Sequence, residues 1–536
     1  VPILEREKDF PMTSRRISLL VAVAMLVVTL APLSTPTYAQ DTVRIAFREN
    51  DARTLDPQAV SGTDDFLAVR NICEGLVDYD PETLAPIPGL ADSWTISADS
   101  TVYTFKLRSG VTFHSGRQLT AEDVVYTLTR LGNPDTGTSY TAGLVLGGVK
   151  GYSAMRAQEN RATELEGVKA LDDMTVEITL NAPRSAFLQQ LTLPGAYIVD
   201  KEAAAAEGFN ENPVCTGPYK VRQWTRQQQL VLEAYEGYWG GAPKIKTVEI
   251  RVLPQQSLQV IEFEGGNLDA AWVPEAELPR LRDDAALNAQ LLTIPVLSLF
   301  HLRVNLADPV MSDPRVRRAF VMAIDRQTIV DTVLQGQGSP AKAIFPPGLP
   351  TRDDSYDPLP YNVDMAKQLL AEAGYPNGVD LEVRTGEIET ERRIMAAVAQ
   401  QVAAAGIRLK VNATERTVYD QDRAVCNMQM GTIGWGMDYP DADNIISVTI
   451  AAGSRVRAAC GYDAFEGHDE IKALIDKAGA MPLGAERDAV YREAEKLAMD
   501  IAVILPIVHY SRSLLANDVV KAAVDNQGEL RFFRIK

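Results

Sequence analysis

Apolar and polar residues alternate at Val43, Ile45 and Phe47, at Tyr103, Phe105 and Leu107, at Val176, Ile178 and Leu180, and at Val248, Ile250 and Val252. A period of two puts successive side chains on opposite faces, so each stretch predicts a half-buried strand. Ser97 to Ser100 is a polar turn just before the Tyr103 strand. Thr120 and Asp123 have the spacing of an N-terminal capping pair, followed by Val124, Val125, Leu128 and Leu131 on one helical face. In the second half the period lengthens. Asp313-Pro314 starts a helix whose stripe is Val316, Ala319, Phe320, Ala323 and Ile324. Asp325 caps a second helix through Ile329, Val330, Val333 and Leu334, and Leu369, Leu370 and Ala373 end a third at Gly374 and Pro376. Strand Val379, Leu381, Val383, helix Ile394, Val398, Val402, Ala405, and strand Ile407, Leu409, Val411 then form a crossover unit, which predicts a parallel pair in an α/β sheet. No repeat or long linker separates the halves. A chain crossing between two lobes more than once is expected, with closure about a hinge.

Met12, the basic pair Arg15 and Arg16, the apolar run Ile17 to Ala31 and the small residues of Thr37-Tyr38-Ala39 read as an export signal cut after Ala39. The run is short for a membrane span, which needs about 20 residues. No cysteine stands at the cleavage site, so a free periplasmic protein without a lipid anchor is expected. Cys73, Cys215, Cys426 and Cys460 all lie in the mature part. An even count in an exported chain is compatible with two disulfides, and four cysteines allow three pairings. Cys426 with Cys460 is the preferred pair because both flank one candidate functional segment; buried free thiols are the alternative. The net charge of -18 argues against nucleic acid and against an anionic bilayer as partners.

The four histidines, His114, His301, His468 and His509, show no metal-ligand spacing, and no cofactor motif is present. No nucleophile elbow, phosphate loop or paired-histidine motif appears, so no catalytic residue is assigned. The pairs Asp64-Asp65 and Asp283-Asp284 read as solvated loop charges. One segment is chemically dense: Gly434-Trp435-Gly436-Met437-Asp438-Tyr439-Pro440-Asp441-Ala442-Asp443-Asn444. Glycines admit a ligand close to the backbone, Trp and Tyr give apolar walls with polar tips, and a carboxylate can hold an ammonium group. The plainer reading is a helix N-terminus with Asp441 or Asp438 as cap. The dense cluster favours a site at Asp438, with structural roles for Asp441 and Asp443.

Ala91-Asp92-Ser93-Trp94, Tyr103 to Arg108, Val111 to Gly116, Thr120 to Val124, Thr216-Gly217-Pro218-Tyr219, Gly266-Asn267-Leu268-Asp269, Asp313 to Asp325 and Leu369 to Pro376 together resemble the peptide/nickel-type extracytoplasmic solute-binding proteins of ABC importers. The resemblance implies a two-lobed α/β periplasmic-binding-protein fold with an inter-lobe ligand cleft. Lobe I would span 40–300 and recover 507–536, with lobe II at 301–506. It implies a monomer that takes a small, peptide-like ligand and hands it to a membrane permease. Asp438 resembles the acid that holds a peptide's α-ammonium, Trp435 an aromatic beside it with Gly436, Met437 and Tyr439 in the same segment, and Ser61-Gly62-Thr63 a first-lobe loop that touches ligand. The chain departs from dipeptide binders in two places. Arg384 stands one position from where an arginine would meet the ligand carboxylate, and Arg416 replaces a Trp, as either an anion partner or a surface charge. His114 and Trp94 are expected to be structural. The alternatives are an exported hydrolase and a sensor or chaperone-like protein on the same scaffold.

Overall fold

A computed structural model of the chain describes residues 41–136, 139–451, 458–525 and 528–535. The export signal and its cleavage position lie outside them. The alternation at Val43 and Ile45 becomes the strand Thr42–Ala46, which pairs in parallel with Thr247–Arg251 so that Val43 meets Val248 and Ile45 meets Ile250. Gln229–Ala234 and Tyr219–Thr225 complete this four-stranded sheet. A second sheet runs Ala91–Ile96, Val102–Leu107, Thr175–Thr179, Val168–Asp172, with Tyr103 opposite Ile178 and Phe105 opposite Val176. The helix Ala121–Gly132 starts where the Asp123 carboxylate accepts from the Thr120 amide at 3.0 Å, and buries Val124, Leu128 and Leu131 in this sheet's core.

The second half is α/β. Asp313 caps the helix Pro314–Met322 by accepting from the Arg315 amide at 2.8 Å, and its whole predicted stripe is buried. Asp325 caps Arg326–Thr328 through the Thr328 amide at 3.0 Å, and the turn then widens into a π-helix over Ile329–Val333. Gly374 and Gly406 take φ of +94° and +87°, the left-handed conformation that ends a helix without a Cβ clash. The crossover unit is present. Val379–Gly386 pairs in parallel with Ile407–Thr414 around the helix Glu389–Val402.

The third and largest sheet has the order Ala270–Val273, Ile504–Ala516, Ser298–Val304, Met430–Gly436, Val379–Gly386, Ile407–Thr414. Its long strand, Ile504–Ala516, serves two cores. Ile504, Leu505, Ile507 and Val508 pack with the second-half core, whereas Leu514 and Ala516 pack with the first. The antiparallel neighbour segment behaves likewise: Ile294 belongs to the first core, and Leu297 and Leu299 to the second. These two crossings change cores side by side. Register slips between Phe300 and His301, opposite Pro506 and Val508, so the residue without an amide hydrogen sits at an irregularity rather than in an unbroken ladder.

One expectation is corrected. Asp64 and Asp65 are not solvated. Asp65 is 2% exposed and pairs with Arg53 at 3.0 Å, and Asp64 accepts from the amides of Arg48, Glu49 and Asn50 at 2.7, 3.2 and 3.0 Å. They are local anchors for the loop that precedes helix Thr63–Ile72. Trp94 lies half-buried against its core from the outer strand Ala91–Ile96. His114 is structural: a ring nitrogen lies 3.0 Å from the Gly217 carbonyl, and burial pulls its pKa down to about 4.

The cysteines are paired as Cys73–Cys215 and Cys426–Cys460, closing loops of 142 and 34 residues. Chain entropy assigns about 5 kcal/mol to the longer loop and about 4 kcal/mol to the shorter. Replacing Cys73 and Cys215 by Ala is therefore expected to lower the thermal midpoint more than replacing Cys426 and Cys460, as scanning calorimetry can read; the opposite order contradicts the loop-length account. A buried carboxyl gives a second test. Glu495 accepts from the Ile344 and Phe345 amides at 2.8 and 2.9 Å, and burial pushes its pKa up to about 7. The folded state thus holds a proton that the unfolded chain releases above its ordinary pKa, and this stabilisation fades as pH rises through 7. Glu495→Gln is expected to gain stability over the wild type between about pH 5 and 8, by up to about 3 kcal/mol; a difference that does not change with pH in denaturant titrations contradicts it.

Candidate functional site

A cavity of about 560 Å³ opens beside the place where the crossing strands change cores, a usual size for a small-solute pocket. Val296, Ser298 and Leu299 line it from one crossing, and Tyr510, Ser511, Arg512 and Ser513 from the other. The first lobe adds Arg48 and Glu49, and the short strand Ala270–Val273 adds Trp272 and Val273. The second lobe adds Ile388, Thr390 and Glu391 at the start of helix Glu389–Val402, and Gly434, Trp435 and Gly436 at the end of strand Met430–Gly436. A Cβ on Gly434 or Gly436 meets nothing within 4 Å, so the backbone here borders open space that a larger residue would occupy.

The carboxylates of this cavity already have donors. Glu49 pairs with Arg48 at 2.6 Å and Glu275 with Arg393 at 2.9 Å. Glu391 accepts from the hydroxyls of Thr432 at 2.6 Å and Thr385 at 3.1 Å. Burial, together with the charges of Glu391 and Glu275, raises the Tyr510 phenol above its ordinary range, so it stays a neutral donor and acceptor. Among the described residues, no group of three or more His, Cys, Asp or Glu side chains is placed to hold a metal ion.

The segment 434–444 is organised by Asn444, which is buried. Its carbonyl oxygen accepts from Trp435 Nε1 at 3.0 Å and from the Asp438 amide at 3.1 Å, while its amide donates to Asp438 Oδ2 at 3.1 Å. Asp438 stands just outside the cavity wall. The hydroxyl of Tyr140, from helix Ser139–Leu146 of the other lobe, also donates to Oδ2, at 2.7 Å. Burial raises the Asp438 pKa, and the two donors oppose that rise. Both bonds fall on one oxygen; Oδ1 receives no side-chain donor among the described residues. Met437 packs against the second-lobe core and its amide donates to the Leu297 carbonyl at 2.8 Å. Tyr439 is buried in the first-lobe core, where its hydroxyl meets Gln190 at 3.1 Å and Asp443 at 2.9 Å. Asp441 caps helix Ala442–Ile446 and forms a buried two-bond pair with Arg487 at 2.6 and 2.9 Å.

The structure therefore brings Trp435 and Gly436 to the cavity and leaves Met437, Asp438 and Tyr439 outside its lining. Ser61, Gly62 and Thr63 lie next to the wall rather than in it: Ser61 meets Arg53, and the adjoining Asp64 fixes Arg48 and Glu49, which do line it. Arg384 points to a separate depression with Glu382, Arg408 and Lys410, and is bound by Asp422 and by Glu382 at 3.3 Å. Arg416 is half exposed and pairs with Asp420 at 2.8 Å, one turn along its own helix. Sequence reasoning missed the cavity residues of the hinge strand. The available signal was Ser511-Arg512-Ser513, a polar break between the apolar runs 501–508 and 514–516.

No helix of the described residues is long and apolar enough to cross a membrane. The chain is 28% identical over 486 residues to the dipeptide-binding protein of Escherichia coli, covering 86% of this chain and 88% of that one. It is 29% identical over 504 residues to a probable deoxycholate-binding periplasmic protein of the same organism, covering 91% and 92%. Its fold superposes on an unliganded open form of a periplasmic murein tripeptide-binding protein with a TM-score of 0.82, at 23% identity, over 92% of this chain and 97% of that one. The sequence model of the bacterial extracellular solute-binding proteins, family 5 (middle region), matches residues 85–453. With that match over more than half its length, on a two-lobed α/β frame with a cavity at the crossing strands, the chain belongs to the family 5 extracellular solute-binding proteins.

Proposed function

We propose that this chain, exported and cut after Ala39, works as a free periplasmic monomer that closes two lobes over a peptide or peptide-like solute and delivers it to an ABC importer. The observation that carries the reading is the cavity bounded by both crossing strands, because rotation about two adjacent strands changes its volume directly. In this reading lobe I is 40–300 with 507–536, and lobe II is 301–506; the changes of core at Ile294 to Leu297 and Val508 to Leu514 support it. The relatives' names support a solute carrier and point to different solutes, a dipeptide in one and deoxycholate in another.

Trp435 supplies an apolar wall and Gly436 the close approach of backbone to solute. Asp438 offers Oδ1 to an ammonium group while Tyr140 and Asn444 hold Oδ2. Closure excludes water and strengthens that charge interaction. Ser61-Gly62-Thr63 supports the Arg48–Glu49 wall from behind, and Tyr439 and Met437 fix the segment between the two cores. Arg384 and Arg416, each engaged by an acidic neighbour, stay outside the contact set.

Asp438→Asn keeps the shape and removes the charge. Loss of one charge-assisted bond is expected to weaken tri-alanine binding about tenfold to a hundredfold, with the circular dichroism spectrum and melting profile unchanged. Titration calorimetry checks it. Unchanged affinity of the Asn variant for tri-alanine removes Asp438 from the site.

A further inference from the structure

Of the charged groups lining the cavity, Arg512 stands apart. Its neighbours on the hinge strand pair normally, and its own backbone sits opposite Ile294. Its guanidinium makes no hydrogen bond or ion pair with any described residue. The carboxylates that act on it electrostatically, Glu529, Glu49 and Asp64, are each committed elsewhere: Glu529 to Arg70 at 3.7 Å, Glu49 to Arg48 at 2.6 Å, and Asp64 to three backbone amides. A guanidinium carries five N–H donors in a planar fork and does not lose its proton at neutral pH. Arg512 is half-buried in the cavity wall, and its fork of donors is uncommitted there.

We propose that Arg512 is the anion subsite of this cavity and receives a carboxylate of the solute through a two-bond contact. The proposal rests on the reading of the cavity as the solute site and adds the chemical class of what enters it: an acid. Burial and the neighbouring Arg48 pull the Arg512 pKa down to about 10, and an incoming negative charge offsets the Arg48 repulsion. The nearby acids do not compete for Arg512, because Glu275 is neutralised by Arg393 and Glu391 is held by two threonine hydroxyls. Arg512 therefore selects for a solute acid, and Asp438, on the other lobe, for a solute cation; a zwitterion satisfies both.

The test is calorimetric titration of the whole mature protein with four probes: tri-alanine, tri-alanine amide, glutarate and glutaramide. The wild type is expected to bind an acid about tenfold or more tightly than its amide, the worth of a charge-assisted pair. In Arg512→Gln that preference is expected to fall to about twofold or less. Arg512→Lys is expected to keep part of it, since it retains charge but loses the fork. A merely structural role for Arg512 leaves the acid-to-amide ratio intact even where affinity drops. Binding of glutarate without tri-alanine rejects the peptide reading and keeps the acid subsite. Equal binding of tri-alanine and its amide by the wild type keeps the peptide reading and overturns the subsite. An unchanged ratio in Arg512→Gln, or no binding of either acid, also overturns it. Should Arg512→Gln fail to fold, the wild-type ratio and the Lys variant decide.

Discussion

The strand Ile504–Ala516 is bonded to partners from both lobes, and this shared ladder constrains everything else. Its first half completes the sheet of the second lobe, and its second half pairs with Ala270–Val273 and Leu291–Pro295 of the first. A strand cannot leave either ladder without exposing unpaired amides and carbonyls. The lobes are thus tethered by backbone hydrogen bonds at one edge, and the proposed closure turns about it. The cavity sits at that edge, so its walls come from both lobes without any long loop reaching across. The second bridge, where Tyr140, Gln190 and Ser185 meet Asp438, Tyr439, Gly479 and Arg487, is made mainly of side-chain bonds, with one backbone bond from the Ser185 amide to the Gly479 carbonyl at 2.8 Å. Such bonds are exchanged for water at small net cost. In the proposed closure the shared ladder is the axle and this second bridge the contact that forms and breaks.

Much of the frame was legible in the sequence because local rules and burial agreed. Asp313-Pro314 started a helix, Gly374 and Gly406 ended two, and alternation at Tyr103 and Phe105 marked a strand whose core face is buried. The rule failed where burial depends on distant partners. Asp64 and Asp65 look like surface charges in a list of residues, yet loop amides and Arg53 take up their lone pairs. The change of core along 504–516 is marked only by the short polar break Ser511-Arg512-Ser513 between two apolar runs.

The candidate site was legible in part for the same reason. The crowding of Gly, Trp and Asp between 434 and 438 marks unusual backbone demands within one segment. What the spacing does not reveal is that Asn444 ties Trp435 to Asp438, or that Tyr140 reaches Asp438 from the other lobe. Arg512 sits in a polar break that the sequence does show, but one arginine between two serines is ordinary until the fold leaves it without a partner among the described residues. Arg384 and Arg416 show the converse. Each looked available, and each is occupied by an acidic neighbour.

The account stands on a solute lying in the hinge cavity between the lobes. A crystal structure of the mature protein, purified without denaturation and grown with excess tri-alanine, tests this most directly. The expected result is ligand density bounded by Trp435 and Trp272, with the lobes rotated toward each other about the strand Ile504–Ala516. Density confined to the outer depression beside Arg384, or a bound solute with the cavity empty and the lobes unmoved, contradicts it.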